Sequence, residues 1–265
     1  MCPSSSARAK LDRASEHIDT VKQLVEGWLG TDAYTVSREI DPETGDTVRR
    51  AKIIQTPPER ISVVAGDAIQ NLRSTLDHVV YALADRHSTL TPAIEQALMF
   101  PIIGNVNSKG EAANGADIFK SSVGRWLAGV PECAVGFIET VQPYYQPGHG
   151  GSQTDYLWNP LWRLHDLNRI DKHRRLTVTT AWLGLQTVHE PAGVNSNTRF
   201  KRAEGPVKDD DVLVTYSGAQ QGVNAQFSRG VALNEGPGPG QSIITELEGL
   251  QSHVAWVASA LERFL

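Results

Sequence analysis

Apolar residues recur at alternating intervals of three and four through Leu11, Ala14, Ile18, Val21, Val25 and Trp28. That interval draws a single seam along a helix over 7–29, with Gly30 as its stop. The period then shortens to two at Tyr34, Val36, Arg38 and Ile40. The turn Asp41-Pro42-Glu43-Thr44-Gly45-Asp46 and the run from Val48 to Ile54 follow, which predicts a β-hairpin over 33–54. Pro57-Pro58 breaks the chain and opens a helix over 59–85, whose core stripe is Ile61, Ala65, Ala68, Leu72, Leu76, Val79 and Leu83. Asn159-Pro160 supplies a cap and a first-turn proline for a helix over 160–175. A last helix, 242–265, aligns Leu247, Leu250, Val254, Val257, Leu261 and Phe264 on one seam.

The remaining segments are less regular. Between 88 and 159 the chain suggests a buried loop or short strand at 100–104 and short helices over 112–127 and 132–141. The aromatic and glycine-rich run 142–151 reads as a flexible loop, either a lid or a surface linker. From 176 onward β-type residues dominate (Thr177, Val178, Thr179, Thr180, Trp182), with further strands expected at 197–203, 212–217 and 223–234. The fold class expected is therefore α+β. A bundle of four long helices would carry the β-hairpin and a small antiparallel sheet within the β-rich insertion 176–234. All of it forms a single domain over 1–265.

Two of these helices carry an unusual load of polar residues, Gly66 to His78 and Leu164 to Arg174. Polar groups crowd the apolar stripe, where burial is costly unless partners are found. At about 100° per residue, Asp67, Asn71, Ser74 and His78 share one column beside the stripe, while Arg73 and Asp77 lie on the other side and can pair. On the second helix Leu164, Leu167, Asp171 and Arg174 share a face. His165, Asn168 and Lys172 form a second column, and Asp166, Arg169 and His173 a third. These side chains either build a functional site or act as buried clamps between neighbouring helices, with Asp67 and Asp171 holding Arg73, Arg174 or the histidines.

Composition narrows the chemistry. The 265 residues carry a net charge of −5, so any contact with nucleic acid must use a local patch such as Lys172–Arg175, or Arg199, Lys201 and Arg202. The two cysteines support neither a disulfide framework nor a thiolate zinc site. No membrane span and no secretory leader is read, which makes the cytoplasm the expected location. Neither Glu-x-x-His, His-Glu-x-x-His, Gly-x-Ser-x-Gly nor a nucleotide-cradling glycine motif occurs on these elements, so no metal and no nucleotide cofactor is expected.

The run Arg73-Ser74-Thr75-Leu76-Asp77-His78 resembles the Arg-x4–6-His motif of HEPN domains, small helical bundles that include metal-independent endoribonucleases of toxin, antiphage and RNA-processing systems. The chain also resembles a group of bacterial, largely actinobacterial, proteins through 66–78 and Leu167-x-x-Ile170-Asp171-Lys172-His173-Arg174, a likeness that carries no function. The HEPN resemblance implies a cytoplasmic RNA-cleaving or RNA-binding protein, defence or toxin related, working without a metal in the cleft of a homodimer. Arg73 and His78 would be catalytic, with Asp67 and Asn71 orienting His78. His165, Asn168, Asp171, Lys172, His173 and Arg174 would bind the substrate. The alternatives are a non-catalytic helical domain with a buried polar network for structure or ligand recognition, and a metal-dependent enzyme using His78, His165 and His173.

Overall fold

The computed structural model describes residues 3–107, 109–145, 155–189, 207–216, 224–234 and 240–265. Its elements are α1 (Pro3–Leu29), β1 (Tyr34–Ile40), β2 (Thr47–Ile53), α2 (Glu59–His87), α3 (Pro92–Ala97), α4 (Gly115–Trp126) and α5 (Glu132–Thr140). There follow a 3-10 turn (Asp155–Trp158), α6 (Pro160–His173), β3 (Val178–His189), β4 (Val212–Tyr216), β5 (Asn224–Leu233), α7 (Ile243–Leu261) and a final 3-10 turn (Glu262–Phe264). The fold is of the α+β class, helices with small antiparallel sheets. The chain divides into two compact units. One comprises Met1–Asp19, Val64–Arg175 and Leu247–Leu265; the other comprises Thr20–Val63 and Leu176–Glu246.

In the first unit the seams are buried as their spacing dictates: Ala7, Ala14 and Ile18 on α1, and Leu247, Leu250, Val254, Val257 and Leu261 on α7. Gln251 of α7 donates to the Ser15 hydroxyl of α1, which ties the chain's two ends. Phe264 departs from the seam it was expected to extend. The helix stops at Leu261, and Phe264 lies half-buried in a 3-10 turn against Phe137. α2 is buried on more than its stripe, since Val64, Ile69, Val80, Ala82 and Ala84 are also buried. A helix covered round most of its circumference is a central one.

The middle region is more ordered than its composition suggests. Thr91 caps α3, accepting from the Ile94 backbone, and Pro92 begins it. Asn114 caps α4 by accepting from Ala116. The segment 100–104 is a buried loop, with Phe100 fully buried. Gln142, expected to open a flexible loop, is also fully buried. Its amide nitrogen donates to Pro101 and Ile138 carbonyls, both at 3.0 Å, and its oxygen accepts from the Ile103 backbone at 3.0 Å. Residues 146–151 of that expected loop lie outside the described residues.

The second unit is built on the hairpin. Asp41 accepts from Glu43 and Thr44 backbone amides, and Gly45 takes φ +74°, the left-handed conformation its turn demands. The strands do not form one insertion sheet. β4 pairs with β2 to give the order β1-β2-β4, and β3 pairs with β5 separately. The reason lies in the loop before β4. Lys52 bonds the Asp210 carboxylate at 2.6 Å, Arg50 donates to its carbonyl, and the Asp209 carboxylate accepts from the Ile53 backbone. Tyr34, Ala51, Val207 and Leu213 then close a small core. The strand expected over 197–203 and the basic cluster Arg199, Lys201 and Arg202 lie outside the described residues.

Replacing Gln142 with Ala should destabilise the protein strongly. It orphans a buried amide and two buried carbonyls at a cost of roughly 1–3 kcal/mol per group. Urea denaturation of Gln142→Ala against wild type measures this, and a change under 1 kcal/mol, roughly the worth of one ordinary hydrogen bond, would contradict the anchoring role.

Candidate functional site

α2 and α6 meet at Gly66 and Asp171. A Cβ on Gly66 would overlap the Asp171 carboxyl, whose Cγ lies 2.6 Å from that position. Only a glycine lets the two helices approach so closely here. α6 is positioned by its cap, with Asn159 Oδ1 accepting from the Leu161 backbone at 2.8 Å and Pro160 in the first turn. The basic residues Lys172 and His173 close its last turn, where cations complement the helix dipole. Burial pushes the Asp171 carboxyl up, and the nearby Asp67 charge pushes it further the same way.

The polar groups of α2 do not face the direction their columns suggest. Asp67 is exposed, and Asn71, Ser74 and His78 are half-buried. The Asn71 amide donates to the Asp67 carbonyl at 2.8 Å, a local helix contact that does nothing to orient His78. The other side faces inward. Arg73 is only 7% exposed, and its Nη2 lies 3.1 Å from Asp77 Oδ1. The same Nη2 donates to the Phe100 carbonyl at 2.7 Å, while Asp77 Oδ1 accepts from the Phe100 amide at 2.8 Å. One ion pair thus grips both backbone groups of a single buried residue. Arg73 Nη1 has no hydrogen-bond partner among the described residues.

Two residues of α6, His165 and Lys172, interact electrostatically with this pair. Burial lowers the His165 imidazole below its usual range, and the Arg73 charge lowers it further, with Asp166 opposing. Both effects favour the neutral form of the His165 ring. Burial raises the Asp77 carboxyl, and this is countered by Arg73, the Phe100 amide, Lys172 and His78. Asn168 is 5% exposed, and its Oδ1 lacks a partner among the described residues. Arg73, Lys172 and His78 thus act on Asp77, while Arg73, Asp166, Arg169 and Lys172 act on His165. Three permanent cations set against two carboxylates favour an anionic ligand. His173 and Arg174 are exposed at the end of α6.

An aromatic chain leads away from His165. Its ring is 5.4 Å from that of Trp162, which stands perpendicular to Tyr156 at 4.8 Å. Gly104 makes room for both, because a Cβ there would come within 2.8 Å of Tyr156 and 2.9 Å of Trp162. Tyr156 in turn lines a cavity of about 680 Å³, together with Asn105, Val106, Ala112, Ala113 and Asn114. Sequence reasoning missed Tyr156 and Trp162. The available signal was Trp162 three residues before His165, one helical turn away.

Among the described residues no three or more His, Cys, Asp or Glu side chains gather as metal ligands, and no helix is long and apolar enough to cross a membrane. No family model, curated protein or solved structure matches the chain.

Two outcomes follow from the helix contact. Gly66→Ala should be destabilising in the wild-type background by about 1–3 kcal/mol, the usual cost of overpacking. In an Asp171→Ala background the same change should be neutral or stabilising, because only the gain in helix propensity remains. A thermal-melt double-mutant cycle measures the difference, and additive effects would show that the two residues do not meet.

His165 should titrate below the ordinary imidazole value of 6.5, read from ring-proton NMR. A histidine whose folded value lies below its unfolded one binds fewer protons when folded. Stability is therefore retained above 6.5 and falls as pH drops below it. His165→Gln should flatten that acid limb relative to wild type, and an unchanged slope would contradict the assignment.

Proposed function

We propose that the protein is a HEPN-like RNA-cleaving or RNA-binding protein that works without a metal, its site lying where Arg73 and Asp77 of α2 meet His165, Asn168 and Lys172 of α6. The observation that carries this reading is the buried Arg73, whose Nη2 is committed to Phe100 and Asp77 while Nη1 is unpaired among the described residues, and whose charge acts on the His165 imidazole. In the cleavage reaction His165 takes the proton from a ribose 2′-hydroxyl. The 2′-oxygen attacks phosphorus, a cyclic phosphate forms, and the 5′-oxygen leaves with a proton from His78 beside Asp77. The exposed Lys172 contacts the phosphate on which charge grows, and the buried Arg73 adds its positive field from behind the site. Asp67 and Asn71 have no part in this scheme, given their exposed or local engagement. His173 and Arg174 extend the cationic surface along the RNA backbone. A second subunit is not required to bring Arg73 to a histidine, because His165 lies within its field in the same chain. Light scattering measures whether the homodimer implied by the resemblance forms.

A second reading has its own observation. The grip of Arg73 and Asp77 on Phe100 is a structural clamp in its own right, as a non-catalytic domain with a buried polar network would have. One experiment separates the two. Purified protein is incubated with total RNA in EDTA, alongside His165→Gln, His78→Gln and Arg73→Ala, each checked by circular dichroism. The RNA reading expects wild type to cleave or bind, with folded His165→Gln cleaving at least 100-fold more slowly, in line with losing a general base. Arg73→Ala unfolding, at a cost of about 3–5 kcal/mol for a broken buried pair, with wild type inert toward RNA would establish the clamp reading.

A further inference from the structure

Within the RNA reading, on which this inference rests, the cavity beside Tyr156 has no role yet. We propose that it is a nucleobase subsite, receiving the base of the nucleotide whose phosphate lies at His165. The cavity's volume of about 680 Å³ falls in the range of sites for small organic groups. Its walls carry one phenol ring, two carboxamides and the small apolar side chains of Val106, Ala112 and Ala113, and among the described residues no charged side chain lines it. Such a lining recognises a neutral, planar, hydrogen-bonding ring and offers nothing to a phosphate. Asn114 spends its oxygen on the Ala116 amide, so its nitrogen is the atom left to donate to a base edge.

The cavity and the cationic cluster are joined by a rigid spacer. Trp162 touches both Tyr156 and His165, so those two rings lie no farther apart than the sum of 4.8 Å and 5.4 Å. That span suits one nucleotide, with base at one end and phosphate at the other. The spacer is held by Gly104, where any side chain would displace Tyr156 and Trp162. Base stacking on aromatic rings tolerates every sequence, so the subsite would bind single-stranded RNA with little base preference.

The test uses isothermal titration of the full-length protein with adenosine 5′-monophosphate and with ribose 5-phosphate, and a labelled single-stranded oligoribonucleotide in EDTA. Two variants are compared: Tyr156→Leu, which removes the ring, and Ala113→Phe, which fills the cavity without removing a core contact. Adenosine monophosphate should bind at least tenfold more tightly than ribose 5-phosphate. Each folded variant should weaken the nucleotide and the oligonucleotide by about tenfold while leaving ribose 5-phosphate unchanged. If Tyr156→Leu fails to fold, Ala113→Phe decides alone. A nucleotide held no better than ribose 5-phosphate, or held equally by wild type and Ala113→Phe, overturns the subsite. Oligonucleotide binding that survives both variants overturns it too, and leaves the RNA reading standing. Nucleotide binding lost in the variants, with no RNA bound by wild type, upholds the base cavity and removes the RNA reading.

Discussion

A loop that runs through a protein interior must have its backbone hydrogen bonds supplied by something other than a helix or sheet, because buried amides and carbonyls are costly to leave unpaired. Residues 100–104 impose that constraint on the helical unit. The Phe100 amide and carbonyl go to Asp77 and Arg73, the Pro101 carbonyl and Ile103 amide go to Gln142, and Gly104 lets Tyr156 and Trp162 close over its Cα. Five consecutive residues thereby fix the angular position of α2, the end of α5 and the entry to α6. The polar side chains that look extravagant on a helix are what an interior loop requires.

The same constraint explains why a cation stands inside the unit at all. Burying a guanidinium is expensive unless it is paired, and Asp77 with the Phe100 carbonyl pairs only one of its nitrogens. Its field reaches His165 of α6, where burial first and the Arg73 charge second lower the imidazole. A device that holds a loop has thus prepared an imidazole and a hydrogen-bond donor in fixed geometry. Preorganised groups of this kind need no rearrangement when a ligand's charge arrives. The clamp is a direct consequence of that buried charge, and the proposed site would be a second one.

The seams of α1, α2 and α7, the cap of α6 and the hairpin turn were legible because each is written in local periodicity or turn chemistry. What escaped was decided by distant partners. Nothing around Gln142 marks it as an anchor, since its three bonds are to residues 101, 103 and 138. The placement of β4 on β2 rests on Asp209 and Asp210, which in sequence are only an acidic run. Within the site, the pairing of Arg73 with Asp77 followed from their spacing, as did the column His165–Asn168–Lys172. Which side of α2 faced inward did not. That helix is apolar round most of its surface, so the stripe alone could not tell the Asp67–Asn71–His78 edge from the Arg73–Asp77 edge.

Charge is distributed unevenly along the contact between α2 and α6, and this orders the residues assigned to the substrate. At the Gly66 end stand Asp67 and Asp171, and burial first and the Asp67 charge second raise the Asp171 carboxyl. At the Arg73 end the guanidinium is paired with Asp77, and its charge reaches His165, where Asp166 opposes it. Asp171 is therefore best understood as the spacer against which Gly66 lets the helices approach, since its carboxyl fills the space a side chain at 66 would need.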